Sequence, residues 1–334
     1  MSNPVLIEVL RGTLVESRHR GAIAVVDVAG KIVVALGDVE QAVYPRSAVK
    51  ALQALPLIET GAADRYGLGQ EELALACASH SGEPAHVATA TRMLALAELD
   101  STALKCGTHW PIHQPSAHAL AGQGGMAGAI HNNCSGKHAG FLCVASALGA
   151  DLARYVQPGH PVQRLVKDAI EDLTGAALSQ DVCAIDGCSV PTWAVPLSAL
   201  ARGFARFGTG TSLAPERAKA AARLRVACAA HPWHVAGTGR FCTEIMQTLG
   251  ERVFVKTGAE GVYCAALPEQ GLGIAIKCDD GAGRAAEAML AATMQRFLGS
   301  EINSSLLEAY IRPTLRNWNG IAIGSLRPTS ALTG

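Results

Sequence analysis

A serine and a lysine stand three residues apart in YPRSAVKALQAL, residues 44–55, as Ser47 and Lys50. At the predicted start of a helix, this spacing places both side chains on one face. A lysine amine that burial keeps neutral can accept the proton of a neighbouring serine hydroxyl, which leaves an oxygen nucleophile. The alternative is ordinary structure, because serine is a favoured helix N-cap and a lysine in a first turn is commonly solvated.

A second lysine closes a predicted strand in VFVKTGAEG, residues 253–261, where Lys256 is followed by Thr257 and Gly258. A lysine at a strand end can project into a cleft. The small Thr257 and Gly258 leave strand backbone open to a ligand, which could pair with it as an added strand would. The alternative is a solvent-exposed turn without a ligand.

Between these two motifs lies a polar segment, ALACASHSGEPAH at residues 74–86, which contains Ser79 and Ser81. The order of S-x-x-K, a serine motif and K-T-G resembles that of the penicillin-recognising serine enzymes. Those enzymes carry S-x-N or S-D-N in the middle, whereas this chain has S-H-S. The departure argues against a β-lactamase and for a relative that reuses the scaffold. The alternative is that the serines cap a helix beginning near Glu83, which we expect of Ser81.

Two cysteines stand in polar loops: Cys134 in HNNCSGKHAG, and Cys188 in CAIDGCSVPTW, where Asp186 precedes it by two residues. Two thiolates and one nitrogen ligand, with water, would form a tetrahedral zinc site. Cys134 could instead be a nucleophile with a histidine base, or the two cysteines could be unrelated thiols. A phosphate loop is excluded, because Lys137 is not followed by the Ser or Thr of that motif.

The elements that must position these residues follow from hydrophobic periodicity. Alternation predicts strands at 5–10, 22–28, 31–36, 252–256, 262–267 and 273–278. Helical spacing predicts helices at 47–60, 83–97, 138–150, 160–174, 196–207, 215–230, 240–249 and 284–298. Together these predict an α/β (α+β) fold: an antiparallel sheet from both chain ends, flanked by helices and carrying an inserted helical lobe.

We expect one domain over residues 1–334, with the sheet from about 1–45 and 250–300 and the helical lobe at about 46–250. The tail from residue 312 is punctuated by proline and glycine and is expected to be extended or poorly ordered. Two histidines three residues apart, His231 and His234 in HPWHVAGTGR, are a weak signal for a metal site. We expect them to line a pocket or to pack against neighbouring residues.

Charge and composition limit the partners. Lys+Arg and Asp+Glu both number 28, so no net field favours nucleic acid or an anionic membrane. No signal peptide or membrane-spanning run is apparent, which predicts a cytoplasmic protein. Ten cysteines in 334 residues are too dilute for a disulfide scaffold. A small molecule is the expected partner.

Five segments in order resemble the rhizobial-type L-asparaginases, the class 3 or asparaginase II family, over nearly the whole chain. They are YPRSAVKALQALPL, CASHSGEPAH, HNNCSGKHAGFL, DGCSVPTWAVPL and VKTGAEGVYCAAL. The resemblance implies hydrolysis of L-asparagine to L-aspartate and ammonia. It also implies a homodimer with a fold similar to that of serine β-lactamases and penicillin-binding proteins.

The resemblance further implies the site residues. The catalytic residues it implies are two serine–lysine pairs, Ser47 with Lys50 and Ser79 with Lys256. The zinc ligands it implies are Cys134, Lys137 and Cys188, supported by Asp186. Other residues flank these positions, and the set expected to bind substrate is Arg46, His138, Asp186, Thr257 and Gly258.

In the expected mechanism, Ser47 attacks the side-chain amide, Lys50 is the base, and water hydrolyses the aspartyl ester. Ser79 and Lys256 complete the proton relay, while zinc shapes the pocket and helps anchor the amino-acid end of asparagine. The alternatives are a glutaminase or other amidohydrolase on the same scaffold, and a non-catalytic zinc-binding sensor.

Overall fold

The computed structural model describes residues 2–299 and 304–333. Its strands are β1 Val5–Arg11, β2 Leu14–Asp27, β3 Ile32–Leu36, β4 Ala42–Val43, β5 Cys183–Ile185, β6 Pro191–Trp193, β7 Val195–Pro196, β8 Phe254–Thr257, β9 Val262–Leu267, β10 Leu272–Cys278, β11 Thr314–Arg316 and β12 Ala322–Pro328. The main sheet runs β11-β12-β1-β2-β10-β9-β8, with β3 also paired to β2, and β4–β7 and β5–β6 form small separate ladders. The ladders are antiparallel throughout.

The helices are α1 Lys50–Gln53, α2 Leu55–Glu59, α3 Ala62–Arg65, α4 Gln70–Ala76, α5 Pro84–Leu96, α6 Gln114–Gly122, α7 Ser135–Ala147, α8 Pro161–Thr174, α9 Leu197–Thr209, α10 Pro215–Ala230, α11 Pro232–Ala236, α12 Phe241–Leu249, α13 Gly283–Leu298, α14 Ser304–Ile311 and α15 Ser330–Thr333. A 3₁₀ turn, Arg46–Val49, precedes α1. Most of the helical residues therefore lie between β3 and β8.

Helices cover the central strands of the sheet. Every residue of β9 is buried, so apolar cover is present on both of its faces, and α9 and α13 both pack on β9 and β10. The approach of α9 is close, because a Cβ added at Gly273 of β10 would meet the Ala201 carbonyl oxygen at 1.9 Å. A glycine at this position lets helix backbone lie directly on the strand.

The predicted fold class is confirmed: this is a mixed α/β molecule whose antiparallel sheet is built from both chain ends and flanked by helices. The β2–β3 hairpin and the β8–β9–β10 meander are present as predicted. In the described parts of the chain, no helix combines the length and apolar character needed to cross a bilayer.

The tail from residue 312 is extended, one of the two forms expected of it, and it forms strands that were not predicted. It supplies β11 and β12, and β12 pairs with β1 over Ile7–Arg11. The proline and glycine residues mark the ends and the turn of this hairpin, and the hairpin covers an otherwise unpaired edge of β1. The sheet therefore extends beyond the predicted limits of about 1–45 and 250–300.

Two helices also differ in their limits. The helix predicted at 47–60 is divided into a 3₁₀ turn, α1 and α2, because Pro56 lies in the first turn of α2 and cannot continue an earlier helix. The helix predicted at 138–150 begins at Ser135, with Cys134 as its N-cap. Lys137 therefore lies in the first turn of α7, beside His138, rather than in the loop before the helix.

Candidate active site

Ser79 lies between two buried lysine amines. Its hydroxyl oxygen is 3.0 Å from the Lys50 amine and 2.8 Å from the Lys256 amine. The exposed fractions are 5% for Ser79, 0% for Lys50 and 1% for Lys256. Lys50 comes from α1 and Lys256 from β8, so the segment after α4 places Ser79 where the helical part meets the sheet.

Lys50 is oriented by acceptors that are distant in the sequence. Besides Ser79, its amine donates to the carbonyl oxygens of Ala78, at 2.6 Å, and Asn133, at 3.3 Å. Three acceptors match the three hydrogens of an ammonium group. The amine thus contacts Ser79 and not Ser47, the partner that their sequence spacing predicts.

Burial shifts the second amine, that of Lys256, toward its neutral form. Burial lowers its pKa to about 7, with the nearby positive charge of Lys50 acting in the same direction. At this pKa a large share of Lys256 is neutral at neutral pH. A neutral amine 2.8 Å from the Ser79 hydroxyl can accept its proton.

The end of β8 packs against the turn that carries Ser47. A Cβ at Gly258 would meet the Pro45 carbonyl oxygen at 2.5 Å, so a larger residue would push the turn away. The Gly258 N–H donates to the Val262 carbonyl at 2.7 Å, and Thr257 pairs with Tyr263 across the ladder. Thr257 and Gly258 are half-buried.

Ser47 is half-buried, and its hydroxyl has no hydrogen-bond partner in residues 2–299 and 304–333. Arg46 beside it has φ 52°, a left-handed conformation that is unfavourable for a residue with a Cβ. The Arg46 guanidinium donates to Asp186 Oδ1 at 2.7 Å, which anchors this strained turn to the β5–β6 connection. A serine with a free hydroxyl thus sits on a turn that is held in place.

The two predicted cysteine loops come together around Lys137. Its amine lies 3.1 Å from Cys188 Sγ, and Cys188 Sγ is 3.8 Å from Asp186 Oδ2. The hydrogen bond with Cys188, assisted by the charges of Lys50 and Lys137, holds the pKa of Cys134 well below its usual value despite burial. Burial alone would lower the pKa of Lys137, but Cys188, Cys134 and Asp186 outweigh it and raise that pKa.

The donor atoms of this cluster are of the types that bind zinc. Two sulfur atoms and one amine nitrogen converge in a buried space, and Cys134, Lys137 and Cys188 each have an exposed fraction of 5% or less. Sulfur and nitrogen donors in this combination suit a tetrahedral zinc ion with one position open. The donor set therefore fits the metal that the sequence resemblance implies.

His138 is fully buried behind the site. Its Nδ1 is hydrogen-bonded to the Tyr155 hydroxyl at 2.7 Å, and the same hydroxyl accepts the Lys105 N–H. Burial lowers the pKa of His138, with Lys137 acting in the same direction, and the ring is neutral. Its Nε2 is buried and has no hydrogen-bond partner in the described chain.

The segment after α10 supports Ser79 in a way the sequence did not reveal. The Ser79 N–H donates to the Val235 carbonyl at 3.0 Å, and the Ser81 hydroxyl donates to the Ala236 carbonyl at 2.8 Å. The expected capping role of Ser81 is wrong, because Glu83 is the N-cap of α5 and Ser81 turns toward α11. In the sequence, HPWHVAGTGR stands out only for its two histidines, and nothing in their spacing indicates that this segment contacts Ser79.

A serine hydroxyl between two buried amines, where the helices meet the antiparallel sheet, has the groups that acyl transfer requires. The sequence model of the L-asparaginase II family matches residues 7–328. The chain belongs to this family, which indicates amidohydrolase chemistry of the asparaginase type.

Solved structures to which this chain is similar include a β-lactamase, Mb2281c, from Mycobacterium bovis. It is 15% identical, with 87% of this chain and 94% of that chain covered and a TM-score of 0.41. A second is Mglu, which is 16% identical, with 85% of this chain and 69% of that chain covered and a TM-score of 0.37. The comparison with curated proteins gives no significant match.

Proposed function

We propose that this protein is an L-asparaginase that hydrolyses the side-chain amide of L-asparagine to L-aspartate and ammonia through a serine ester. The observation that carries the proposal is the Ser79 hydroxyl, which lies within 3.0 Å of both Lys50 and Lys256, in a chain of the L-asparaginase II family. The three residues come from separate parts of the sequence and have little exposure to water, which is a costly arrangement without a chemical role.

Ser47 is the proposed nucleophile, because its hydroxyl is free and more exposed than that of Ser79. Two of the three proton transfers follow the hydrogen bonds that Ser79 makes with Lys256 and Lys50, and the third requires the Lys50 amine to reach the Ser47 hydroxyl when substrate binds. Ser79 gives its proton to neutral Lys256, Lys50 gives one to Ser79, and Lys50 then takes the proton of Ser47 as the oxygen attacks the amide carbon. The net result is a new C–O bond and a proton held on Lys256.

The same relay then runs in reverse. The proton on Lys256 returns through Ser79 and Lys50 to the departing nitrogen as the C–N bond breaks, so that ammonia leaves from an aspartyl ester on Ser47. Water attacks this ester, and Lys256 accepts and returns a second proton. Backbone N–H groups around Ser47 would hold the oxyanion in both halves of the reaction.

Cys134, Lys137 and Cys188 would hold a zinc ion. When bound, the metal supplies positive charge for the amino-acid end of asparagine. Asp186 joins this cluster to Arg46, so it links the substrate-anchoring side of the site to the turn that carries Ser47. Arg46, His138, Asp186, Thr257 and Gly258 are proposed to shape and orient the substrate pocket.

Initial rates of ammonia release test the function. We expect turnover of L-asparagine, much slower turnover of L-glutamine, and no hydrolysis of a chromogenic β-lactam. Ser47→Ala and Ser79→Ala should each remove the asparagine activity, while Ser325→Ala, which removes a half-buried serine hydroxyl of β12, should retain it. Glutamine turnover at a comparable kcat/KM would contradict the assignment to asparagine, and no turnover of any amide would favour a sensor.

The remaining proposals concern assembly and location. We propose a homodimer in the cytoplasm, with the whole chain acting as one domain. Light scattering after size-exclusion chromatography tests the dimer, since a single mass near 34.6 kDa would contradict it. Limited proteolysis tests the single domain, because a stable fragment containing only the helical lobe would contradict it.

A further inference from the structure

A second cluster of potential metal ligands lies apart from the cysteines, at the start of α4 and around α11. Ligand atoms of Glu71, His231 and His234 all lie within 4.8 Å of one another. His231 and His234 line an open cavity of about 390 Å³, so the expected pocket-lining position of this pair is confirmed. All three side chains are partly exposed, which leaves them free to adjust.

The imidazoles of this cluster have no internal role in hydrogen bonding. Across residues 2–299 and 304–333, neither ring nitrogen of His231 or His234 has a hydrogen-bond partner, and their rings make only edge contacts, such as one of 5.6 Å between centroids. Glu71 accepts one bond from Arg92, at 2.8 Å on Oε2, and its second oxygen remains available.

The local charge favours a cation. Arg92 lies between Glu71 and Glu72, at 2.8 and 2.5 Å, so two carboxylates are only half balanced by one guanidinium. The two carboxylates and the guanidinium together carry a net negative charge. The attraction for a divalent ion is therefore stronger than it would be for two histidines alone.

We propose that Glu71, His231 and His234 form a binding site for a first-row divalent cation, of which Zn²⁺ is the physiological candidate. Two imidazoles and one carboxylate are a donor set that suits Zn²⁺, Ni²⁺ and other ions of this row, and leave positions for water. Ligand bonds of about 2.0–2.2 Å require the donor atoms to move closer, which rotation of exposed side chains allows.

Such an ion would hold the segment that carries Ser79 in position. α4 leads directly into the Ser79 segment, and α11 supplies the Val235 carbonyl that accepts the Ser79 N–H at 3.0 Å. A cation joining the two helices would fix the segment from both sides. Glu71, His231 and His234 are therefore positioning residues, and the ion takes no part in bond making or breaking.

Trp233 provides a direct optical reporter. Its ring lies between two histidines, 5.3 Å from the centroid of His234 and stacked at 3.9 Å on His86. A paramagnetic ion bound to His234 would quench the fluorescence of a tryptophan this close. The other tryptophans can be separated from the signal with Trp233→Phe.

The experiment is a Ni²⁺ titration of the full chain, followed by tryptophan fluorescence and equilibrium dialysis. We expect saturable quenching in the intact protein and in the control His118→Ala, which removes an exposed histidine elsewhere. His231→Ala with His234→Ala should lose this quenching and one bound ion. Trp233→Phe should lose the quenching but retain the ion.

Glu71→Gln is the milder variant, because it keeps the shape and removes the charge. It should weaken Ni²⁺ binding at least about tenfold while the near-ultraviolet circular dichroism remains unchanged. Zn²⁺ should compete with Ni²⁺ for the site and raise the Tm of the intact protein more than that of Glu71→Gln. Unchanged quenching and ion count in folded His231→Ala/His234→Ala would overturn the proposal, as would failure of Zn²⁺ to compete.

Discussion

Two regions of this molecule bury a lysine, with opposite consequences. Lys256 lies beside Lys50 and a serine hydroxyl, and burial lowers its pKa to about 7. Lys137, equally buried, lies among Cys188, Cys134 and Asp186, and these groups raise its pKa. The difference shows that the neighbours of a buried amine decide whether it can act as a base or remains a fixed positive charge.

The strongest way to break this comparison is to remove Lys256. Lys256→Met should reduce kcat for asparagine by about 10³-fold, because the relay loses its terminal proton acceptor. The exposed Lys219→Met is the matched control and should retain activity. A loss of less than tenfold in a folded Lys256→Met would show that this amine is not the base.

Removing a thiol tests the other side of the comparison. Cys188→Ser should release zinc and raise KM for asparagine by about 10–100-fold, with a smaller change in kcat. Metal analysis and initial rates measure the two effects. Cys143→Ser, which changes a buried thiol of α7 that donates to the Met93 carbonyl, is the control. A fall in kcat as large as that of Lys256→Met would contradict the division of roles.

The acid limb of the pH profile sharpens the comparison without a substitution. Neutral Lys256 accumulates as pH rises through its pKa of about 7, so kcat/KM should fall about tenfold from about pH 8 to about pH 6. The amine is protonated below its pKa and cannot then accept a proton, so kcat/KM decreases as the pH falls. A flat profile across this range would show that no group with this pKa limits the reaction.

The smallest expected effect concerns the support of His138. Tyr155→Phe removes the hydroxyl that is hydrogen-bonded to its Nδ1 at 2.7 Å and accepts the Lys105 N–H, and so leaves polar groups without a partner in a buried region. We expect the free energy of unfolding to fall by about 1–3 kcal/mol in urea. Tyr66→Phe, at a half-buried tyrosine bonded to Ser146, should cost less. Equal losses in the free energy of unfolding of the two variants would argue against a larger contribution from the Tyr155–His138 hydrogen bond.

Much of the sheet could be predicted, because short apolar runs bounded by glycine-bearing turns mark its central strands. The pairing of β12 with β1 could not, since it joins Arg327 to Glu8 from opposite ends of the chain. Glycine and proline residues in this tail gave the same local signal for a hairpin turn as for a loose segment. Only the partner strand distinguishes the two.

The site shows a similar limit. Sequence motifs led to Ser47, Lys50 and Lys256, but helical spacing predicted that the Lys50 amine would face Ser47. Its direction is set by the Ala78 and Asn133 carbonyls, which are 28 and 83 residues away in the sequence. A long side chain follows its hydrogen-bond acceptors, and these are known only once the chain has folded.

The identity of the acylated residue tests the central claim most directly. The intact protein would be mixed with L-asparagine, quenched in acid within the first turnovers, digested and analysed by mass spectrometry. The account predicts an aspartyl ester on the peptide that carries Ser47, and none in Ser47→Ala. An adduct on Ser79 or Cys134, or turnover by Ser47→Ala at the intact rate, would contradict it.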